Sequence, residues 1–254
     1  MLFFDILLDV LIFMFGSCFG SFLTMLSYRM FHKENDFIFK RSFCPKCHNQ
    51  LKNISLVPIF SWLFQGGRCT FCKEKISVRY PLIEIANAII FLLVFKLNGS
   101  VINLNTIYFW LLGTFLLLIC VVDLEHLCIP DDFQYVFFAF GIVYIFYNGL
   151  SLFYHLFSGL IYYFIIRTLA KLTSDIVKKD SIGDGDIPLI AICGSILGLQ
   201  NTHIFLFLCG VFGIVFSLIY KIFSKNESNR FPFIPSIVLS FVLTFYLSIF
   251  YFQS

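Results

Sequence analysis

Charge is what this sequence has least of. Lysine, arginine, aspartate and glutamate together make up 13% of its 254 residues, against 59% hydrophobic residues. With a mean hydropathy of +0.89 and 36 Phe, the composition excludes an ordinary soluble core and describes a chain whose solvent is largely lipid. Basic residues are missing from the start, MLFFDILLDV, which carries Asp5 and Asp9 instead. That is the wrong n-region for an exported and cleaved signal peptide, so the first apolar run is expected to be a retained membrane helix. A glycine-rich nucleotide fingerprint is also missing, as are internal repeats and low-complexity tracts. The net charge of +3 calls for no nucleic-acid partner, because loop bias and leaflet charge account for it.

What is present is a series of apolar runs. Crossing roughly 30 Å of hydrocarbon takes about 20 helical residues. Candidate spans are 4–27, 81–98, 104–124, 133–149, 151–168, 187–199, 203–223 and 231–252, the sixth of them short. The cations are unevenly placed. Ten of the 18 lie in 29–80: Arg29, Lys33, Lys40, Arg41, Lys46, Lys52, Arg68, Lys73, Lys75 and Arg79. Arg167, Lys171, Lys178 and Lys179 precede the sixth span, and Lys221, Lys225 and Arg230 follow the seventh. With eight spans, all three groups fall on one side and only Lys96 lies near the other. The positive-inside rule makes that side cytoplasmic. The expected fold is an all-α polytopic membrane protein of about eight transmembrane helices. Residues 1–28 form the first helix, 29–80 a small cytoplasmic insert between helices 1 and 2, and 81–254 the membrane core.

The insert contains Cys44, Cys47, Cys69 and Cys72 as C-x2-C-x21-C-x2-C. Two such pairs read as knuckles of a tetrahedral Zn²⁺ site. In a loop with little core of its own, metal binding supplies much of the folding free energy. Other readings compete. Cys44 to His48 also spells the haem-attachment pattern C-x-x-C-H, which belongs on the outer face and leaves the second pair unexplained. Disulfides are disfavoured in a reducing cytosol, and a site without metal is a third option. Cys18, Cys120, Cys128, Cys193 and Cys209 lie in or beside apolar spans and read as packing residues.

Two acidic clusters sit where helices meet the cytoplasmic face. One runs from Asp123 through Glu125 to Asp131 and Asp132; the other is Gly183-Asp184-Gly185-Asp186. Ionisable groups at membrane depth are functional hypotheses by default. Asp123 stands out, because the run from Phe115 to Val122 before it carries no charge. Two carboxylates sharing a site hold one proton between them. One can deprotonate a water while the other polarises a carbonyl and protonates a leaving amine. Glycines beside Asp184 and Asp186 let a peptide backbone approach. Helix capping is the plainer reading for Asp131 and Asp132, and it competes with catalysis for Asp184 and Asp186. Cation or proton transport through an acid pair is a third.

Taken in order, these motifs resemble the type IV prepilin leader peptidases, membrane aspartic proteases of the G-x-G-D kind. Gly16-Ser17-Cys18-Phe19-Gly20-Ser21-Phe22 with Arg29 looks like that family's first helix. Arg41 to Glu84, including Arg79-Tyr80-Pro81, looks like its zinc-binding insert. Asp123 through Asp131 and Gly183-x-Gly185-Asp186 look like its two catalytic motifs. The resemblance implies Asp123 and Asp186 as the catalytic pair, with Gly183, Asp184, Gly185 and Asp131 beside them. It implies prepilin or pseudopilin substrates, cut at the cytoplasmic membrane face between a basic leader and a hydrophobic helix, commonly after a Gly. It also implies N-methylation of the new terminus with S-adenosylmethionine. The chain departs from the family where a basic residue often follows G-x-G-D; Ile187-Pro188-Leu189 stands here. Glu84 and Arg79 are assigned no catalysis; they read as cap and cytoplasmic marker of the second helix. A peptidase without methyl transfer and a zinc-bearing scaffold without chemistry are the other outcomes. A continuous ion pathway is disfavoured, because the ionisable groups crowd at one face.

Overall fold

The computed structural model describes residues 2–31, 41–178, 183–223 and 231–251. Lys33, Lys40, Lys179, Lys225 and Arg230, counted above for orientation, lie outside these. The described residues form helices α1 (Leu2–Phe31), α2 (Phe60–Phe64), α3 (Arg79–Leu97), α4 (Leu104–His126), α5 (Asp131–Tyr147), α6 (Leu152–Val177), α7 (Asp186–Phe223) and α8 (Ile234–Tyr251). Five of them, α1, α3, α4, α6 and α7, are long and apolar enough to cross a membrane. Their outward faces suit lipid: Phe153, Phe157 and Phe164 on α6 are all exposed. Two compact units divide the chain after Leu118, within α4.

In the first unit α1 packs on α3 through two glycines. A Cβ on Gly16 would sit 2.9 Å from the Ala88 backbone, and one on Gly20 would sit 2.7 Å from the Glu84 backbone. The G-x-x-x-G spacing therefore lets two backbones approach, as small residues do in membranes. Asn87 seals the contact by donating to the Gly16 carbonyl at 2.8 Å. Phe91 stacks on Trp110 with ring centroids 4.8 Å apart, and the indole donates to the Phe91 carbonyl. Lys96 does more than snorkel: its ammonium lies 2.6 Å from the Asp9 carboxylate. One ion pair accounts for the cation that stands apart from the three basic groups and for one of the two N-terminal acids.

In the second unit α7 is a hairpin rather than a rod. Gly198 leaves helical geometry, with φ 73° and ψ 170°. Thr202 Oγ1 reaches the Gly194 carbonyl at 3.4 Å. Eight residues of straight helix would hold those positions roughly 12 Å apart, so the chain reverses at Gly198. The sixth and seventh expected spans are its two arms, 186–197 and 199–223. His155 on α6 donates from Nδ1 to the Ser195 carbonyl at 2.7 Å, a group the break deprives of its usual helical partner. Gly159 brings α6 against the short arm so closely that a Cβ would overlap Ser195 Oγ. Phe137 on α5 and Phe241 on α8 meet edge to face with centroids 5.7 Å apart.

The packing role expected for the remaining cysteines holds for Cys193 and Cys209, which are buried, but not for Cys18 and Cys128, which are exposed.

Candidate active site and metal centre

Asp123 lies near the C-terminal end of α4 and is only 6% exposed. Its Oδ2 accepts the backbone N–H of Ile234 at 3.0 Å. That N–H is among the first of α8, which helix geometry leaves without an internal partner, so the carboxylate closes the end of a helix 111 residues away. The Asp123 carbonyl accepts from Leu127, and the chain turns there with φ 51° at Leu127.

Asp186 opens α7. Its N–H donates to the Gly183 carbonyl at 3.0 Å, closing a turn over Gly183-Asp184-Gly185. Asp186 lies within electrostatic reach of Asp123. Gly183 is there for space: a Cβ would stand 3.1 Å from Asp186 Oδ2. Around Gly185 the nearest atom is Gln134 Nε2, which donates to the Gly185 carbonyl at 3.3 Å and ties the turn to α5. Asp184 is exposed, and Asp131 and Asp132 are exposed in the first turn of α5. No side chain caps α5, so the two acids there complement the helix dipole instead.

Cys209, on the long arm of α7, lies within electrostatic reach of Asp186. The short arm, 12 residues from Asp186 to Leu197, rises about 18 Å, whereas the 199–223 arm rises about 37 Å. Asp186 thus faces the middle of the long arm. Sequence reading missed Ile234, Gln134 and Cys209. Ile234 contributes a backbone N–H, which has no sequence signature, and Gln134 is marked only by being an amide in an otherwise apolar stretch.

The cysteine insert is built twice over. Phe43 bridges Gln50, and Arg68 bridges Lys75. Each bridge closes an eight-residue knuckle with C-x-x-C inside it. A left-handed residue follows the second cysteine each time, His48 at φ 56° and Lys73 at φ 60°. The four sulfurs lie within 4.8 Å of one another, and Cys44 Sγ is 3.9 Å from Cys72 Sγ. Zn–S bonds of about 2.3 Å at tetrahedral angles separate sulfurs by about 3.8 Å; a disulfide needs about 2 Å. The cluster therefore fits a four-thiolate metal ion, and its cysteines are free thiols. Backbone N–H groups of Cys72 and Phe71 point at the Cys69 sulfur and lower its pKa to about 7. At Cys72 the Glu74 N–H pulls the same way, but desolvation and the neighbouring thiols outweigh it and push that thiol up to about 11. Four thiolates this close cannot coexist without a cation among them.

Glu84 does not cap its own helix. It sits in the second turn of α3, buried, and its Oε2 accepts the Ile59 N–H at 2.7 Å, drawing the insert onto α3. Arg79 does mark the start of α3, and it donates to Ser27 of α1 at 2.6 Å. Trp62 donates to the Ile76 carbonyl at 3.2 Å and braces the insert from within.

Fold and site define a polytopic helical membrane protein with acids at two helix ends and a four-cysteine insert whose sulfurs could hold a metal ion. A family model described as "Bacterial Peptidase A24 N-terminal domain" matches residues 14–97, and one described as "Type IV leader peptidase family" matches residues 110–218. The chain belongs to the type IV leader peptidase family. It is 29% identical to a "Type 4 prepilin-like proteins leader peptide-processing enzyme" of Escherichia coli O78:H11, over 91% of each chain. It is 28% identical to a "Prepilin leader peptidase/N-methyltransferase" of Vibrio cholerae, over 89% of this chain and 92% of the relative. A protein of the same description from Neisseria gonorrhoeae is 27% identical over 78% of this chain and 68% of the relative. No solved structure matches the chain.

Proposed function

We propose that this chain is an aspartic endopeptidase of the bacterial inner membrane. It removes the basic leader from type IV prepilins or pseudopilins at the cytoplasmic face, then methylates the new N-terminus. The observation that carries the reading is that buried Asp123 and half-buried Asp186, from two motifs about sixty residues apart, lie within electrostatic reach of one another. The descriptions of the relatives support leader cleavage and methylation together.

In this reading the acids share one proton. The ionised carboxylate takes a proton from water, and the water oxygen attacks the scissile carbonyl carbon. The protonated partner donates to the carbonyl oxygen. When the tetrahedral intermediate collapses, the C–N bond breaks and the amine nitrogen leaves with a proton. The Ile234 N–H holds the Asp123 carboxylate in orientation. Glycines on the turn before Asp186 keep side chains away from an approaching peptide. The substrate's hydrophobic helix docks laterally, by the packing that joins helices in lipid.

Cys44, Cys47, Cys69 and Cys72 hold a structural Zn²⁺ in the 29–80 insert, and 81–254 forms the peptidase core. S-adenosylmethionine supplies the methyl group. The test is the intact mass of a prepilin with a Gly-Phe junction after incubation with purified protein and S-adenosylmethionine. Loss of the leader and gain of one methyl are expected, with both absent in Asp123→Asn and Asp186→Asn. Leader loss without the methyl would leave a peptidase alone. An uncut substrate with folded wild type would sink the reading and favour ion transport.

A further inference from the structure

The cysteine insert turns one face of α2 inward and leaves the other bare. Ser61, Trp62 and Gln65 look into the crevice beside α1 and α3. Phe60, Leu63 and Phe64 are exposed on the opposite side, where i, i+3, i+4 spacing sets them on one face of the turn. Phe64 is 86% exposed, more than any other large apolar residue described, and its ring stacks on that of Phe60 with centroids 6.3 Å apart. The 3-10 turn before α2, Asn53–Leu56, adds Ile54 at 76% exposed, and Val57 follows it, exposed too. Apolar surface gathered in one place like this marks a site of interaction.

The depth of this face follows from helix lengths. The 19 residues of α3 rise about 28 Å, barely the roughly 30 Å of hydrocarbon in a bilayer. Arg79, its first residue, must then stand at the membrane boundary, and the second turn just inside. Glu84 lies in that second turn, about 7 Å along the axis from Arg79, and it accepts the Ile59 N–H at 2.7 Å. Ile59 is the N-cap of α2. The start of α2 is therefore held at the level of the acyl boundary rather than out in water. At the same level α3 itself shows an apolar outer face, with Leu82 exposed.

Charge completes the pattern. Between 41 and 78 the insert exposes Arg41, Lys46, Lys52, Arg68, Lys73 and Lys75, against the single acid Glu74. Aromatic and aliphatic tips flanked by cations suit an anionic membrane interface, with apolar groups about 5–10 Å into the headgroup layer and cations among the phosphates. The face projects and has no walls, so it offers a partner helix no groove. A fluid acyl layer needs none.

We infer that α2 and the turn before it are an interfacial anchor. Ile54, Phe60, Leu63 and Phe64 insert into the anionic membrane surface beside α3, and the basic residues of the insert lie among its headgroups. The Glu84–Ile59 bond sets the depth of the anchor, and the anchor in turn holds the insert down on the membrane.

The experiment uses the full-length, zinc-loaded protein in vesicles of phosphatidylglycerol and phosphatidylethanolamine. These are doped with a phospholipid that carries a photoactivatable diazirine on its acyl chain. After irradiation and digestion, label per residue on 54–64 is expected within about threefold of that on the exposed side of α3. Exchanging the phosphatidylglycerol for phosphatidylcholine is expected to lower the label on 54–64 about twofold or more and to leave α3 unchanged. The triple variant Phe60→Ser, Leu63→Ser, Phe64→Ser is expected to lower it about fivefold or more. Zinc content reports that the variant insert is folded, and if zinc is lost the wild-type label decides. Label on α3 with none on 54–64 overturns the anchor, and equal label in both kinds of vesicle overturns an anionic surface as its partner. Label on 54–64 that added prepilin strips away would give the face to the substrate and overturn the proposal. Cross-links from 54–64 to a second copy of the chain in place of lipid would do the same.

Discussion

Asp123 accepts the backbone N–H of Ile234 at 3.0 Å. The acid is thus both one of the two acids of the proposed reaction and the group that closes the first turn of α8. The two roles separate by substitution. Asp123→Asn keeps an oxygen for the N–H but cannot exchange a proton with water, so prepilin cleavage should fall by roughly a hundredfold to ten-thousandfold with the helical circular dichroism unchanged. Asp123→Leu should add a loss of stability of about 1 kcal/mol, as when a helix loses its capping oxygen. Asn and Leu proteins with equal melting temperatures would argue against the cap.

The two glycines before Asp186 should not be equivalent. A methyl at Gly183 meets the Asp186 carboxylate at 3.1 Å, whereas one at Gly185 meets only the tip of Gln134, at 3.7 Å. Gly183→Ala is expected to lower kcat/KM about tenfold or more, since small misplacements of a reacting group are costly. Gly185→Ala should stay within about threefold of wild type. The opposite ranking in a cleavage assay would mean that the glycines serve the substrate backbone rather than the acid.

Gly198 carries the reversal in α7. Its φ of 73° with ψ of 170° is a region only glycine occupies comfortably, and a Cβ would press Tyr154 at 3.2 Å. Gly198→Ala should cost about 1–3 kcal/mol, visible as a lower melting temperature in detergent. Cleavage should weaken with it, because the short arm carries Asp186.

Metal binding by the insert should strengthen as pH rises. Cys69, lowered to about 7, keeps its thiolate down to about neutral pH, whereas Cys72, raised to about 11, still holds a proton there. Coordination must release that proton. Calorimetry in buffers of different ionisation enthalpy should register proton release at pH 7, and zinc should come off progressively as pH falls below 7. X-ray absorption should find four sulfurs at about 2.3 Å. Cys44→Ser or Cys69→Ser should lose the metal and unfold the insert.

Much of this was legible before the structure, for physical reasons. Bilayer thickness fixes how long an apolar run must be, so each of the eight expected spans falls on a helix or an arm of α7, although the fifth stops well short of the end of α6 and only five helices among the described residues are long and apolar enough to cross a membrane. Cysteine spacing fixed the knuckles, because tetrahedral coordination leaves few alternatives. Asp123 was conspicuous in an uncharged run. The groups that hold the acids were not legible. Ile234 acts through its backbone, Gln134 through one amide, and Gly183 through the side chain it lacks. Glu84 read as a helix cap because it lies near the start of α3, but its partner is Ile59, 25 residues back. Only the fold sets those two side by side.

The reversal at Gly198 makes the short arm of α7 a gauge. Its zero is the glycine, whose carbonyl accepts from Thr202 while His155 holds the Ser195 carbonyl just before it, and its far end is Asp186. One residue inserted between them would advance the carboxylate by about 1.5 Å and swing it by about 100°. The same residue inserted in the long arm beyond Cys209 would leave the acid where it is. A chain built this way tolerates drift in the length of its connecting loops, yet holds the count from Asp186 to Gly198 fixed.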